Sequence, residues 1–404
     1  MKELLWISPF APYDKVTHAG GKVHNYYIKY FHNSKKFNIT LLSLCFRDEE
    51  KLLDLDRYGI RNNVYVKGHS KIENFIMRAE NALSYYNPID KYAGICLSYE
   101  RKKIRKLLKE YIASGKKPEI VILQWTFSLM FIPLLKQSFP NCKIIAIEED
   151  VTFQSYERKW KVADHIIIQK FWKHRYKKLK KLELHFLDQS ELVITNNPKD
   201  TELLINNNIE QEKIFTSIPY FDNYSNIERN ADMNKILFFG AMSRPENYKS
   251  AIWFIDKVMP LLKIPQLQFI VIGSNPPQVL KDKASDNVKI LGYIEDVSEY
   301  FSTCLCLAAP LQLGAGIKIK ILEALSAGVP VLTNDIGIEG IGAVDRKEYI
   351  NCKSPQDYAE AVRALRRNFN VTKQLSENSR RFIKEQYQIT DRLEKLINKI
   401  DYEL

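Results

Sequence analysis

The sequence predicts an α/β protein made of two doubly wound domains, each a parallel sheet with helices on both faces. Its 404 residues exceed one ordinary core and suit two domains of roughly 200 residues each. Short strands rich in β-branched residues alternate with amphipathic segments, which is typical of a parallel sheet. With 45% hydrophobic and 27% charged residues, the composition excludes a disordered or fibrous protein.

Ten strands are predicted, five on each side of a polar run at residues 223–234 that we interpret as the linker. The domains are accordingly placed at 1–220 and 221–385, followed by a helix at 386–404 whose apolar stripe needs a surface to bury against. The predicted strands are 3–8, 37–44, 119–123, 143–147 and 192–196 in the first domain, and 235–240, 268–273, 288–291, 305–309 and 329–334 in the second.

The formal net charge of +12 is concentrated in two stretches. Residues 101–117 hold eight Lys or Arg against one acid, and residues 157–186 hold ten against three, so each carries +7. Helical apolar periodicity in both stretches predicts basic amphipathic helices. Each helix either rests on an anionic membrane surface or is a core helix with a solvated face. Nucleic acid ranks lower as a partner because no nucleic-acid-binding signature is present.

The expected location is the cytoplasm, peripheral at the inner membrane face if the basic helices bind lipid. No apolar run approaches the ~18 to 20 residues of a membrane span. Pro9 and Pro12 fall where a signal-peptide core would have to form. The six cysteines have no metal-binding spacing and are expected to be buried thiols.

The strongest motif is LGAGIKIKILEALSAGVPVL at residues 313–332. Its glycines allow the backbone to approach a ligand closely, and a helix opens near Ile317. Because a helix start offers free N–H groups and partial positive charge, the motif predicts a phosphate-binding loop. Lys318 adds charge, and Glu323 lies about one and a half turns into the helix. The alternative is a helix start whose glycines serve packing alone.

This segment resembles the nucleotide-sugar site of family 4 glycosyltransferases, the group 1 retaining enzymes of the GT-B fold, in a branch with a GAGIK loop. The resemblance implies two Rossmann-like domains facing each other across a cleft, the first binding the acceptor and the second the nucleotide-sugar. It also implies that the C-terminal helix packs back on the first domain. Glu323 matches a carboxylate that accepts hydrogen bonds from the donor ribose. The signature's other Glu falls at Ala315, where backbone amides near Gly316 and Ile317 would take over.

A second match is ILFFGAMSRPEN at residues 236–247, a strand that ends in Gly240 and a loop that enters a helix. Relatives place an Arg directly after this glycine and a Lys ahead of the helix, both on the donor diphosphate. This chain has Ala241 and Asn247 at those places, so another cation is implied, unless the loop Arg is only a surface residue. The candidates are Arg244, Lys318 and Lys249.

Weaker matches lie at Gly273, which ends a strand lining the cleft in relatives, and at residues 291–297, similar to the loop whose backbone binds the base. Both can equally be plain strand ends. The donor-binding residues that the resemblance implies in the second domain are Gly240, Asn247, Gly273, Gly292, Tyr293, Ile294, Gly314, Gly316, Ile317 and Glu323.

In the first domain, Gly20 and Gly21 precede a helix, as in the family's glycine-rich first loop near the donor phosphate or the acceptor. His18 is a looser candidate beside them. Three acids at residues 148–150 follow a buried strand, and neighbouring carboxylates raise one another's pKa, which suits proton transfer. Relatives carry an acidic pair or a His-Asp pair here, so Glu149 and Asp150 are assigned to acceptor orientation. The alternative is N-capping by the aspartate.

The resemblance implies a retaining glycosyltransferase that moves a sugar from a nucleotide-diphosphate sugar to a hydroxyl of a glycan or lipid-linked glycan, as in polysaccharide biosynthesis. No DxD-type motif stands where a metal would be needed, so transfer without metal or other cofactor is expected. Two alternatives remain: a nucleotide-sugar 2-epimerase of the same fold, and a non-catalytic binder of sugar or nucleic acid. The residues assigned to catalysis are Glu149, Asp150, Lys318 and Arg244.

Overall fold

A computed structural model of the chain describes residues 1–16, 18–86, 90, 92, 96–314 and 316–403, with the side chains of 84–86 left out. It divides into two compact units: Met1–Tyr220 with Ile389–Leu404, and Phe221–Gln388. Each unit contains one sheet whose strands all pair in parallel. The α/β class with two Rossmann-like domains is therefore confirmed.

The first unit is built on a seven-stranded sheet with helices on its two faces. Its strands are β1 (Lys2–Ile7), β2 (Phe37–Phe46), β3 (Arg61–Lys67), β4 (Ile120–Gln124), β5 (Lys143–Glu148), β6 (Leu192–Thr195) and β7 (Ile214–Thr216). Its first eight helices are α1 (Ala19–Asn33), α2 (Lys71–Tyr86), α3 (Ser98–Ala113), α4 (Trp125–Leu129), α5 (Ile132–Ser138), α6 (Thr152–Lys161), α7 (Ile166–Asp188) and α8 (Pro198–Ile205). The strand order is β3-β2-β1-β4-β5-β6-β7.

The second unit repeats this plan with six strands. They are β8 (Asp232–Phe239), β9 (Gln268–Ile272), β10 (Val288–Leu291), β11 (Cys304–Ala309), β12 (Val331–Thr333) and β13 (Ile350–Asn351), in the order β10-β9-β8-β11-β12-β13. The helices are α9 (Pro245–Lys257), α10 (Met259–Leu262), α11 (Gln278–Lys281), α12 (Ser298–Thr303), α13 (Ile319–Ser326), α14 (Pro355–Arg367) and α15 (Phe369–Gln386).

The last helix, α16 (Ile389–Tyr402), belongs to the first unit. The apolar stripe of α16 packs against α1 and against the face of the first sheet that α1 covers. Leu393 and Ile400 of this stripe are buried there. Lys2 at the start of β1 donates to the carbonyl of Asp401 at 2.6 Å. The stripe thus buries against the first unit, and the boundary falls at 388/389 rather than at the predicted 385/386.

Sequence patterns did not predict β3, β7 and β13. All three lie at an edge of their sheet: β3 and β7 at the two edges of the first, and β13 at one edge of the second. An edge strand pairs on one side only, so it is often short or polar. β7 and β13 have three and two residues, and β3 carries Arg and Asn at its start. Their patterns were too weak to predict a strand.

The polar run at 223–234 is not a linker. Arg229 donates to the carbonyl oxygens of Phe301 and Cys304, both at 2.7 Å, and β8 begins at Asp232. The polar side chains of this run therefore satisfy backbone groups of the second unit. The boundary between the two units lies ahead of this run, at 220/221, which is where the first two domains were divided from the sequence.

The basic stretches also differ from the prediction. Residues 101–117 correspond to α3, which ends four residues earlier at Ala113. Residues 157–186 form two helices, because α6 ends at Lys161 and His165 begins α7 by accepting a hydrogen bond from the Ile167 N–H at 3.3 Å. Among the described residues, no helix has the length and apolar character needed to cross a membrane. All six cysteines are buried and unpaired, as expected.

Candidate functional site

Open parallel sheets bind ligands beyond the carboxyl ends of their strands, at the point where the strand order reverses. This point lies between β1 and β4 in the first unit, and between β8 and β11 in the second. The loop at 313–318 follows β11, and Gly240 follows β8, so the two strongest sequence motifs flank the reversal in the second sheet. Gly20 and Gly21 lie within the first turn of α1, which follows β1, rather than ahead of the helix as predicted, and Glu149 follows β5.

Two glycines at this edge of the second sheet touch each other. Gly240 has a φ of +151°, and Gly273 has a φ of +157°. A Cβ atom placed on Gly273 would overlap the carbonyl oxygen of Gly240. The Gly273 N–H also donates to the carbonyl of Gly292 at 3.1 Å. The loops after β8, β9 and β10 are thus held together through backbone, with no room for a side chain at 273.

The GAGIK loop begins at Gly314 with a φ of +121°, and Gly316 has a φ of +66°. Ala315 lies outside the described residues. Lys318 is the N-cap residue of α13, and its Nζ donates to the carbonyl of Gly316 and lies 3.8 Å from a carboxylate oxygen of Glu339. The ammonium group of Lys318 is therefore already engaged by the Gly316 carbonyl and by Glu339. Ile317 packs partly against the core, and the helix itself begins two residues after it.

A lysine that sequence reasoning missed lies in the first turn of α13. Lys320 Nζ donates to Asn247 Oδ1 at 2.6 Å, and a Cβ on Gly240 would come within 2.7 Å of this Nζ. The other side of the Asn247 amide donates to the carbonyl of Ala241 at 2.9 Å. The sequence could have indicated Lys320 as a site residue. It lies three residues before Glu323, and residues at that spacing share a helix face.

Burial lowers the pKa of Lys320 to about 7, and the positive charge of Arg244 adds to the effect. The Arg244 side chain is 64% exposed and pairs with Glu246 at 2.6 Å. Glu323 is only 5% exposed. The edge therefore combines an exposed cation, a buried amine and a buried carboxylate, which are groups suited to a phosphorylated polyol.

The predicted base-binding residues lie further along the same edge. They follow β10, which is two strands away from β8 in the sheet. Gly292 is exposed, Tyr293 is 56% exposed and Ile294 packs partly on the core. The structure thus brings Gly240, Asn247, Gly273 and Lys320 into direct contact, and places 292–294 beside them along the edge.

In the first unit, two amides hold the carboxyl group of Glu149. Gln124, the last residue of β4, donates to Oε1, and Asn196, just after β6, donates to Oε2 at 2.8 Å. Burial raises the pKa of Glu149 to about 8, with a further contribution from the charge of Asp150. The side chain is thus fixed in position and able to exchange a proton near neutral pH. Sequence reasoning missed both amides because one lies at the end of β4 and the other just after β6, far from Glu149 along the chain.

The first turn of α6, the helix after the three acids, is capped by Glu183 rather than by Asp150. The N–H groups of Thr152 and Phe153, in the first turn of α6, donate to Glu183 at 2.7 and 2.9 Å. The N-cap position itself is Val151, so the alternative of N-capping by Asp150 is wrong. Burial raises the pKa of Glu183, and this acid stabilises α6 from the neighbouring helix α7.

The glycines at the start of α1 make room for rings. His18 Nδ1 accepts a hydrogen bond from the Gly21 N–H at 2.9 Å, and a Cβ on Gly21 would lie 2.7 Å from His18 Cε1. A Cβ on Gly20 would lie 3.0 Å from Trp125 Cζ2. Trp125 directly follows β4 with a φ of +63°, a strained conformation for a large side chain that is often kept at functional sites. Gln124 joins this tryptophan to Glu149.

Within the described parts of the chain, no group of three or more His, Cys, Asp or Glu could hold a metal ion. Near the edge of the second sheet, a negatively charged ligand would meet the side chains of Arg244, Lys318 and Lys320.

Part of the chain is similar to a family of known proteins. Residues 233–368 match the family described as "Glycosyl transferases group 1". A curated relative, the "Uncharacterized 44.6 kDa protein in cps region" of Klebsiella pneumoniae, is 24% identical over 165 residues, which is 38% of this chain and 42% of the length of that protein. The match therefore spans less than half of the relative.

Solved structures match over the whole length. Sucrose-phosphate synthase from Thermosynechococcus elongatus superposes with a TM-score of 0.72 at 14% identity, covering 100% of both chains. HepE of Anabaena in complex with UDP-glucose superposes with a TM-score of 0.68 at 11% identity, again covering 100% of both. The fold is that of GT-B proteins, and residues 233–368, within the second unit, are similar to group 1 glycosyl transferases.

Proposed function

We propose that this chain, whose second unit matches the group 1 glycosyl transferase family over residues 233–368, moves a sugar from a nucleoside-diphosphate donor to a hydroxyl of a glycan or lipid-linked glycan. The observation that carries the proposal is the edge of the second sheet between β8 and β11, where close glycine backbone, side-chain cations and buried Glu323 converge. A structure similar to this chain contains UDP-glucose, and a relative comes from a cps region, which fits polysaccharide biosynthesis.

In this reaction, the bond from the anomeric carbon to the diphosphate oxygen breaks and the acceptor oxygen forms a new bond on the same face. The departing diphosphate carries the developing negative charge, and the start of α13 with its cations would stabilise it without a metal. Glu323 would accept hydrogen bonds from the ribose hydroxyls. Arg244, exposed at the start of α9, would approach the phosphates from solvent.

The first unit would orient the acceptor. Glu149, held by two amides, would accept the proton of the attacking hydroxyl, and Asp150 beside it would keep that site negatively charged. Gly20 and Gly21 would let the start of α1 approach the ligand. The strained Trp125 next to these glycines would provide an apolar wall for a sugar ring.

Nucleotide titration tests the donor site. We expect at least one of UDP, GDP and ADP to bind, and we expect Glu323→Ala to weaken that binding at least ~10-fold, about 1.4 kcal/mol, because the ribose hydroxyls lose a buried acceptor. Isothermal titration calorimetry measures both. Glu360→Ala, which removes an exposed carboxylate from α14 of the same unit, is the matched control. Equal affinities for wild type and Glu323→Ala would contradict the assigned role.

Product analysis separates the proposal from its two alternatives. An epimerase would convert the donor sugar when no acceptor is added, whereas a transferase would at most hydrolyse it slowly. A non-catalytic binder would leave the donor intact under both conditions. For the proposed reaction, the product should keep the donor's anomeric configuration, and turnover should persist in excess EDTA.

A membrane-facing surface is part of the proposal, and it centres on the turn between α6 and α7. Val162, Ile166, Ile167 and Ile168 are all more than half exposed there, between helices that hold ten Lys or Arg. Apolar side chains surrounded by basic ones suit an anionic lipid surface. The basic helix α3 fits this role less well, because none of its large apolar side chains is exposed.

Vesicle flotation tests this surface. Wild type should float with vesicles containing phosphatidylglycerol and remain below vesicles of phosphatidylcholine alone. The double variant Ile166→Asp/Ile167→Asp should lose most of this binding, because two carboxylates then face the anionic lipid. Val279→Asp/Val344→Asp, which changes two residues of similar exposure in the second unit, should float like the wild type. Equal flotation of the two double variants would exclude the α6–α7 turn as the contact.

A further inference from the structure

Lys320 is a buried amine with no counter-ion among the described residues. Its Nζ donates to Asn247 Oδ1 at 2.6 Å and lies 4.7 Å from the centroid of the Phe238 ring. Neither partner carries a negative charge. Burying a cation without an opposite charge is costly, so such a group is usually paired or loses its proton.

The charges that face this amine do not compensate it. Arg244 at the start of α9 and Lys318 at the start of α13 are cations that act against its ionised form. Glu246 and Glu323 act in the opposite direction but form no ion pair with it within the described residues. Three cations therefore converge where β8 ends, and an anion bound there would be attracted by all of them.

Asn247 on the neighbouring helix α9 is compatible with this buried lysine. Its side-chain oxygen accepts a hydrogen bond from Lys320. A lysine at both places would set two ammonium groups against each other in a buried site. An asparagine can accept from the amine and still donate to the Ala241 carbonyl, at 2.9 Å.

We propose that Lys320 is a donor-binding residue that contacts the diphosphate from the first turn of α13. Gly240 makes this possible, because a Cβ at that position would lie 2.7 Å from the Lys320 Nζ. Lys318 fits the role less well, since its own amine is turned to the Gly316 carbonyl and Glu339. This inference rests on the proposed function and names the residue that would hold the leaving group.

A measurable consequence is proton uptake on binding. Burial lowers the pKa of Lys320 to about 7, so that at pH 8 most molecules carry the neutral amine. A bound diphosphate favours the charged form and raises this pKa. The terminal phosphate of UDP, which ionises near pH ~6, is already fully ionised at pH 8. Binding at pH 8 should therefore take up between about half a proton and one proton per UDP.

The experiment is calorimetric titration of the full chain with UDP, and with GDP and ADP in parallel, in two buffers of different ionisation enthalpy at pH 8. Lys320→Met, which keeps the length and apolar stem of the side chain, should weaken binding of the diphosphate at least ~10-fold at pH 7 and abolish proton uptake. Lys320→Arg, which keeps a charge at every pH, should bind more tightly than Lys320→Met and take up no proton. Lys257→Met removes an exposed charge at the far end of α9 and should match the wild type.

The outcomes for Lys320→Met and for the wild type test the role of Lys320 and the transferase proposal separately. If Lys320→Met binds as tightly as the wild type, or takes up the same number of protons, the role of Lys320 is overturned and the transferase proposal stands. If the wild type binds none of the three diphosphates, both are overturned. Thermal unfolding of Lys320→Met should show no loss of stability, because an apolar side chain replaces an uncompensated buried amine. A large loss would assign the lysine to folding rather than to the donor.

Discussion

Glu149→Gln should lower turnover by at least ~100-fold while nucleotide affinity stays within about twofold, since a positioned proton acceptor typically contributes 10²- to 10⁴-fold. The substituted amide cannot take the proton of the acceptor hydroxyl. It also turns an N–H₂ group toward Gln124 or Asn196, both of which already donate to this position. Nucleotide binding should be spared because the donor-binding edge lies on the second unit. Steady-state kinetics and calorimetry measure the two effects separately.

The raised pKa of Glu149 also predicts in which direction turnover changes with pH. Burial raises the pKa of Glu149 to about 8, so the reactive carboxylate is the minor form at pH 7 and becomes the major form above pH 8. Turnover of the wild type should therefore rise as the pH is raised from 6 to 9, and the residual turnover of Glu149→Gln should not follow this curve. Glu202→Gln, an exposed carboxylate on α8, controls for loss of charge. Full turnover in Glu149→Gln would remove Glu149 from the mechanism.

Gly273→Ala should lower the free energy of unfolding by about 3 kcal/mol, and nucleotide binding should be lost with it. The added Cβ would overlap the carbonyl oxygen of Gly240, and the φ of +157° is itself unfavourable for alanine. The only relief is to separate the loops after β8 and β9, which form part of the proposed donor site. Chemical denaturation and UDP titration measure the two losses.

Gly292→Ala is the matched control for this variant. Gly292 also follows a strand of the same sheet, but a Cβ placed there meets nothing within 4 Å and its φ is not positive. Its free energy of unfolding should stay within about 0.5 kcal/mol of the wild type. If the two glycine variants were equally stable, the backbone contact between Gly240 and Gly273 would not be needed for the fold.

The sequence by itself determined the parts of this protein that depend on local pattern. Buried parallel strands are continuous apolar runs, and the predicted strands therefore fall within a few residues of those observed. The loop at 313–318 stood out because two glycines ahead of a helix let a ligand approach the free N–H groups of its first turn. Where the pattern was weak, prediction failed. The missed edge strands β7 and β13 are very short and β3 starts with polar residues, and the periodicity at 157–186 continued across a break between two helices.

Only the tertiary structure decided which charges meet. Lys318 was the conspicuous lysine of its motif, yet its amine is turned to the Gly316 carbonyl and Glu339, while Lys320 reaches Asn247 seventy-three residues away in the chain. Glu149 is positioned by amides from β4 and from the loop after β6, and α6 begins on a carboxylate from α7. Sequence patterns report burial and periodicity along one element, whereas the pKa and the orientation of a side chain depend on groups that folding brings from other elements.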